Sequence, residues 1–277
     1  MDIPTKPFSF GVVATPQGGP DQWIATARRI EELGYSSLLM PDGIQLLSPF
    51  PSLTLAAHVT ERLRVGTFVL AGPLRTPYQA AWEAHSVSVL TGGRFDLGIG
   101  TGRPAVKEAA ATVGMPYGSA AERLAQVEQT VATLRELDGD TVRTPILMAA
   151  GGPKSRAVAA RLADTVTLAA DALAPRSELE AMAASVRAEA GERAAEIELA
   201  MNIFVVGDEV PPWTKHFIGA EAKDLIAADS MTMLRGTTDE IVDELERRRE
   251  TIGVSSISVN QAFFEQLAPV VERLAGK

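Results

Sequence analysis

The feature that most constrains this chain is an alternation. Short apolar runs trade places with helix-period segments from one end to the other. Eight runs read as strands, at 8–14, 37–41, 64–70, 94–99, 146–150, 165–169, 198–206 and 256–260, mostly apolar and bounded by Gly, Pro or Asp, as in a buried parallel sheet. The segments between them carry helix signals. Asp21 reads as the cap of a helix over 22–33 that stops at Gly34, and Ser119/Glu122, Ser177/Glu180 and Thr237/Glu240 have capping-box spacing. Further helices are expected over 53–60, 78–90, 155–163 and 267–274. Eight strand–helix units in 277 residues predict an α/β protein, one (β/α)8 TIM barrel over 1–277. Its long loops, at about 101–118 and 208–236, leave C-terminal ends of strands, where such barrels carry their sites. The competing doubly wound sheet needs a dinucleotide fingerprint near its first strand. The best match, Gly98-Ile-Gly100-Thr-Gly102-Arg103, lies at the fourth and places Arg103 where the last glycine belongs.

Composition removes whole function classes. With 26 basic and 35 acidic residues the net charge is −9, so a nucleic-acid partner is not expected. Zero cysteines exclude disulfides, thiolate nucleophiles and Cys-type metal sites. No apolar run approaches the ~18 residues of a membrane helix, and the first residues do not read as a signal peptide. The expectation is a soluble, cytoplasmic protein without a membrane partner. The histidines, His58, His85 and His216, fall in no strand and form no metal-binding pair; His85 reads as a packed or capped helix residue. None of the six lysines lies in a strand, which disfavours Schiff-base chemistry. A chain so poor in catalytic groups fits an enzyme whose chemistry belongs to a bound cofactor.

Two glycine clusters suit such a cofactor. Gly98, Gly100 and Gly102 alternate at the end of the fourth strand, so a flat ring or substrate could meet bare backbone there; a crowded barrel mouth would ask for the same residues. Gly151-Gly152-Pro153-Lys154-Ser155 ends the fifth strand and opens a helix, presenting free amides and a cation suited to phosphate, or simply a turn. Asp42, ending the second strand, reads equally as a site residue or as a cap for the loop at Gly43.

Several of these blocks are shared with a known family. Thr60-Glu-Arg-Leu-Arg-Val-Gly-Thr67, Arg75-Thr-Pro77, Leu90-Thr-Gly-Gly-Arg-Phe-Asp-Leu-Gly-Ile-Gly-Thr-Gly102 and Pro145-Ile-Leu-Met-Ala-Ala-Gly-Gly152 with Ala160-Arg-Leu-Ala-Asp164 resemble the luciferase-like monooxygenase superfamily. Glu31-Glu-Leu-Gly-Tyr35, Pro41-Asp42, Arg75-Thr-Pro77 and the Gly253-Val254 … Ala268-Pro269-Val270-Val271 region look most like its actinobacterial branch that uses the deazaflavin coenzyme F420. The resemblance runs from about residue 8 to 274. It implies an F420-dependent oxidoreductase transferring a hydride to or from a small organic substrate. The alternatives are an FMNH2-dependent monooxygenase and a non-catalytic flavin-binding member.

By the same resemblance Asp42, Ala71, Gly72, Arg75, Gly100, Thr101 and Gly102 would line the ring, and Gly151, Gly152, Lys154 and Ser155 would hold the phosphate of the cofactor tail. Asp42 and Arg103 are the candidate catalytic residues; no metal is implied. Some relatives carry a non-proline cis peptide near the Arg75 loop. The chain departs from the family pattern in three places. Asp42 is followed by Gly43 where relatives have His, and Arg103 stands where sugar-phosphate-oxidising relatives have Glu, so the usual bases for alcohol oxidation are missing. Gly139-Asp-Thr-Val142 leads almost directly to Pro145, which would leave one side of the pocket more open. Tyr117, Trp213, Phe217 and Met231 are candidate pocket walls or loop-packing residues. A homodimer is expected through the second and third helices, with Ala56, Ala57, Ala80, Ala81 and Ala84 allowing close contact.

Overall fold

The computed structural model describes residues 5–209 and 218–277. Its strands are β1 (Ser9–Val13), β2 (Ser37–Met40), β3 (Arg64–Thr67), β4 (Leu70–Ala71), β5 (Phe95–Gly100), β6 (Ile146–Ala150), β7 (Thr165–Leu168), β8 (Glu198–Ile203), β9 (Val205–Val206), β10 (Met233–Leu234) and β11 (Val254–Asn260). The helices are α1 (Pro20–Glu32), α2 (Pro49–His58), α3 (Pro77–Leu90), α4 (Val106–Thr112), α5 (Ala120–Asp138), α6 (Pro153–Leu162), α7 (Arg176–Ala190), α8 (Ala222–Ala227), α9 (Thr238–Thr251) and α10 (Phe264–Leu274).

Eight of the strands close into a parallel ring in the order β3-β2-β1-β11-β8-β7-β6-β5, and β3 pairs with β5 through Val65↔Phe95 and Gly66↔Asp96. This is the (β/α)8 barrel expected. β4 lies against the upper part of β5, with Ala71 opposite Gly100, and β9 and β10 pair outside the ring. No helix among the described residues is long and apolar enough to cross a membrane.

Strand alternation divides the side chains between two compartments. Phe10, Leu38, Val65, Leu97, Met148, Val166, Met201 and Ile257 join the large core between barrel and helices. Their neighbours face the lumen, where Leu39 and Leu147 are the large apolar residues. Both stay outside that core although buried. Glycines make room for them: a β-carbon on Gly66 would sit 3.2 Å from Leu39, and one on Gly98 3.5 Å from Leu147.

The lumen is layered. At its N-terminal end lie Ser9, Arg64, Asp96 and Glu198, where Arg64 is paired with Asp96 and Glu198 accepts hydrogen bonds from the hydroxyls of Ser9 and Ser255. Burial pushes the carboxyls of Asp96 and Glu198 upward, opposed by Arg64 and by the two serines respectively. The upper end carries Val13, Gly100, Ala149, Asn202 and Asn260; solvent reaches Val13, Ala149, Asn202 and Asn260.

Several local expectations need correction. The run 64–70 is two strands, interrupted at the Phe68–Val69 peptide, which is cis. The run 198–206 breaks at Phe204, whose amide turns to the carbonyl of Thr232 outside the ring. Asp21 is not a cap: Pro20, with φ preset for a first helical residue, opens α1, and Gly19 flanks it. Ser177 likewise falls inside the first turn, since α7 starts at Arg176 after Pro175. The boxes at Ser119/Glu122 and Thr237/Glu240 form as expected, and Thr76/Gln79 forms another. The short 139–145 connection joins the end of α5 to the start of β6, so it lies at the N-terminal end of the barrel and opens no side of the mouth. The 101–118 loop holds α4, and 208–236 holds α8 and β10.

Candidate functional site

Around the C-terminal mouth the expected residues fall into two groups. The first is centred on Asp42, just beyond β2, with its side chain 3% exposed. Its carboxylate accepts the backbone N–H of Ala71 at 3.0 Å and both terminal nitrogens of Arg75, at 2.7 and 3.2 Å. A bidentate pair of this kind fixes orientation as well as charge. Arg75 also lies 3.3 Å from Glu83 of α3 and over the Phe50 ring, 5.6 Å from its centroid. Burial raises the Glu83 carboxyl, while Arg75 works against the shift.

The segment after β4 is held from its other side by Gln126 of α5, which donates to the carbonyls of Gly72 and Arg75 at 2.8 and 2.7 Å. Neither Glu83 nor Gln126 stood out in the sequence. Gln126 lies 51 and 54 residues from its partners, with no motif to join them.

The glycines of β5 have packing reasons of their own. A β-carbon on Gly98 would stand 1.8 Å from the Thr67 carbonyl oxygen, whose residue also donates its hydroxyl to the Gly98 carbonyl. One on Gly100 would stand 2.9 Å from Val69, and Gly102 has φ +75° beside Pro73. Thr101 accepts from Arg123, which stacks on Tyr117 at 4.1 Å. Arg103 is exposed, with no side-chain partner among the described residues.

The second group is the β6–α6 turn. Gly152 flanks α6 with φ −81° and ψ 159°, a conformation any residue can adopt. A β-carbon there would meet nothing nearer than the Ser155 hydroxyl at 3.9 Å. Neither packing nor backbone demands this glycine, which leaves open space over the helix N-terminus. Pro153 leads the helix, the Ser155 hydroxyl donates to the Gly152 carbonyl at 2.8 Å, and Lys154 is exposed. Gly151 is different, since a β-carbon there would press on the Ala169 carbonyl at 2.8 Å.

Among the wall candidates, Met231 is buried in the main core and its carbonyl accepts from Arg248, so it packs a loop. Tyr117 packs against the small cluster of Ala71, Leu74 and Ala110. Trp213, His216 and Phe217 lie outside the described residues. His85 pairs with Asp138 at 2.9 Å, a structural contact near the end of α5. No cluster of three or more His, Asp or Glu able to hold a metal occurs among the described residues.

A profile of luciferase-like monooxygenases matches residues 6–211. The chain belongs to this family. Among luciferase-like relatives, an F420-dependent glucose-6-phosphate dehydrogenase from Intrasporangium calvum is 31% identical over 178 residues, 53% of each chain. An F420-dependent hydroxymycolic acid dehydrogenase from Mycobacterium tuberculosis is 27% identical, covering 93% of this chain and 77% of its own. The chain spans about half the length, or less, of the first curated relatives it matches. The fold is that of the coenzyme F420 dependent tetrahydromethanopterin reductase from Methanopyrus kandleri, with a TM-score of 0.74, 17% identity, and 97% and 99% of the two chains covered. A long-chain alkane monooxygenase superposes with a TM-score of 0.73 at 14% identity, over 98% and 91%.

Proposed function

We propose that this luciferase-like protein is an F420-dependent oxidoreductase acting on a small organic substrate. The observation carrying most weight is the F420-dependent dehydrogenase aligned along 93% of the chain. Gly152 supports the fit, because its bare backbone faces free space at a helix N-terminus where a phosphate would accept the leading amides. In this reading Gly151, Gly152, Lys154 and Ser155 hold the phosphate, while Asp42, Ala71, Gly72, Arg75, Gly100, Thr101 and Gly102 border the ring. Bound deazaflavin supplies hydride chemistry, and the protein supplies position and exclusion of water. Asp42 is committed to the Ala71 amide and to Arg75, so its part is to hold the 71–75 segment in place rather than to move a proton. Arg103, exposed beside the mouth, is a cation available to a substrate or to the acidic cofactor tail.

The test is a fluorescence-quenching titration with F420 and, separately, FMN. Saturable micromolar or tighter binding of F420 alone supports the reading. Binding of FMN alone replaces it with the flavin monooxygenase reading, which the alkane monooxygenase fold likeness also accommodates. Lys154→Ala should weaken F420 binding by roughly tenfold or less, and the loss should shrink with added salt.

A homodimer belongs to the same proposal, on a changed footing. Ala56, Ala57, Ala80, Ala81 and Ala84 are buried inside the chain and cannot meet a partner. The outer face of α3 instead exposes Tyr78, Trp82, Val89 and Leu90, with Ile44 and Leu47 also exposed. Exposed aromatic and aliphatic side chains on one helix are the kind of surface that a second copy would cover. Light scattering should give twice 29.4 kDa, and Trp82→Glu should shift it to the single-chain mass.

A further inference from the structure

The upper lumen wall formed by β7, β8 and β11 has a chemistry that none of the features above uses. Thr167 alternates with Val166 and Leu168, which both face the outer core, so its side chain faces the lumen. It is only 4% exposed, and its hydroxyl has no hydrogen-bond partner among the described residues. A buried hydroxyl left unpaired costs ~1–3 kcal/mol, so a group that normally answers it is to be looked for in the lumen.

Two amides stand on the same wall. Asn202 lies two residues beyond Ala200, the partner of Thr167 across the β7–β8 ladder, and faces Ser258 across the β8–β11 ladder. Its Oδ1 accepts the Ser258 hydroxyl at 2.9 Å. Asn260, two residues further along β11, accepts the backbone N–H of Ala262 through its Oδ1, also at 2.9 Å. In both cases the carbonyl oxygen is engaged by the protein. Each NH2 group has no partner among the described residues, and both side chains are partly open to solvent from the mouth.

The wall thus offers two N–H donors and one free hydroxyl. Among the described lumen-facing strand residues at this level no charged side chain occurs; those, Arg64, Asp96 and Glu198, lie at the opposite end. A donor set without charge matches the lone pairs of a neutral oxygen better than a phosphate or carboxylate, which would want a cation. Around the ring β8 and β11 lie across the lumen from β3 and β5, so a ligand on this wall faces the segment that Asp42 and Gln126 hold.

We propose that Thr167 and Asn202 form a recognition site for the carbonyl oxygen of a neutral organic ligand, an enone, ketone or amide, with Asn260 one layer above them towards the mouth. Its role as the substrate site rests on the oxidoreductase reading; binding itself does not.

The test compares a panel of cyclic and linear enones with the matching alkenes, by equilibrium binding to the purified protein in ligand-observed NMR, with and without F420. Thr167→Val removes the hydroxyl at constant shape, and Asn202→Asp keeps the acceptor for the Ser258 hydroxyl while removing the donors. The enones should bind at least tenfold more tightly than the alkenes. Each variant should cut that preference at least fivefold, leave F420 affinity within twofold, and T167V should melt no lower than the parent. Three results overturn the proposal: enones binding no better than alkenes, a preference that survives both variants, or variants that weaken F420 tenfold while the preference stays, which would give the donors to the cofactor ring. Failure of F420 to bind at all would instead remove the oxidoreductase reading, with the enone comparison still decided on the cofactor-free protein.

Discussion

The two ends of the barrel lumen solve opposite problems. The N-terminal end is charged, and its charges are answered within the fold: Arg64 meets Asp96, two serine hydroxyls meet Glu198, and just outside, Asp138 takes the amide of Thr144 and the ring of His85. The C-terminal end is neutral on its strand walls and leaves capacity unused, in the Thr167 hydroxyl, the amides of Asn202 and Asn260 and the open space at Gly152. Groups that only hold a fold together find partners within it, because an unanswered buried polar atom is expensive. Unanswered donors beside the open mouth, where a ligand can enter, are therefore the better guide to where something binds. By this criterion the charged residues deepest in the sheet are structural, although titratable groups in a barrel invite a catalytic reading.

The largest effect that would sharpen this contrast comes from two glycines, Gly98 within β5 and Gly152 just beyond β6. Gly98→Ala puts a β-carbon against the Thr67 carbonyl, and it should cost about 3 kcal/mol or more in denaturant unfolding. Gly152→Ala meets only the Ser155 hydroxyl, at 3.9 Å and in an ordinary conformation, and should leave stability within about 0.5 kcal/mol while weakening F420 binding. A Gly152 variant that melts early at unchanged affinity would make that glycine structural and move the phosphate to Arg103 or Arg75.

Next in size is Asp42→Ala. It strands the Ala71 amide and the Arg75 guanidinium, so a stability loss of about 2 kcal/mol is expected, together with weaker cofactor binding. Gln126→Ala frees the same segment from its other side and should show a smaller version of both effects. Loss of stability with no change in affinity would separate the clamp from the site.

The smallest effect lies at the charged end. The Glu198 carboxyl is pushed above its ordinary value of 4.5, chiefly by burial. The native state therefore binds its proton more tightly than the unfolded chain does. Over the window from 4.5 up to the raised value, this group makes stability fall as pH rises. Glu198→Gln should flatten that part of the profile and leave the protein at least as stable at pH 7, with no change in F420 affinity. An affinity change would give the N-terminal end a role in binding that the comparison denies it.

Much of the architecture was readable because buried parallel strands are locally apolar and their boundaries carry Gly, Pro and Asp. Ser119 and Thr237 declared their helices by a box that closes within one turn. What escaped was set by proline position or by distant contacts. Pro20 and Pro175 moved two helix starts away from the acidic or hydroxyl residues that looked like caps. The alanines assigned to a dimer contact were small for packing within the chain. Asp42 and Arg75 were each legible as candidates, but their mutual pairing and the Gln126 latch depend on the closed ring. Thr167 and Asn202 had a signal that went unused: each is a polar residue between two apolar neighbours that face the helices, which places it in the lumen, and Asn260 follows core-facing Val259 in the same way.

The central claim is that the mouth binds and the opposite end supports. Hydrogen–deuterium exchange of the protein with and without saturating F420 tests it most directly. Slowed exchange is expected in 68–76 and 150–157, with no change in 61–66 or in the first residues of β8. Protection confined to the N-terminal end, or absent from both mouth segments while F420 is demonstrably bound, would contradict it.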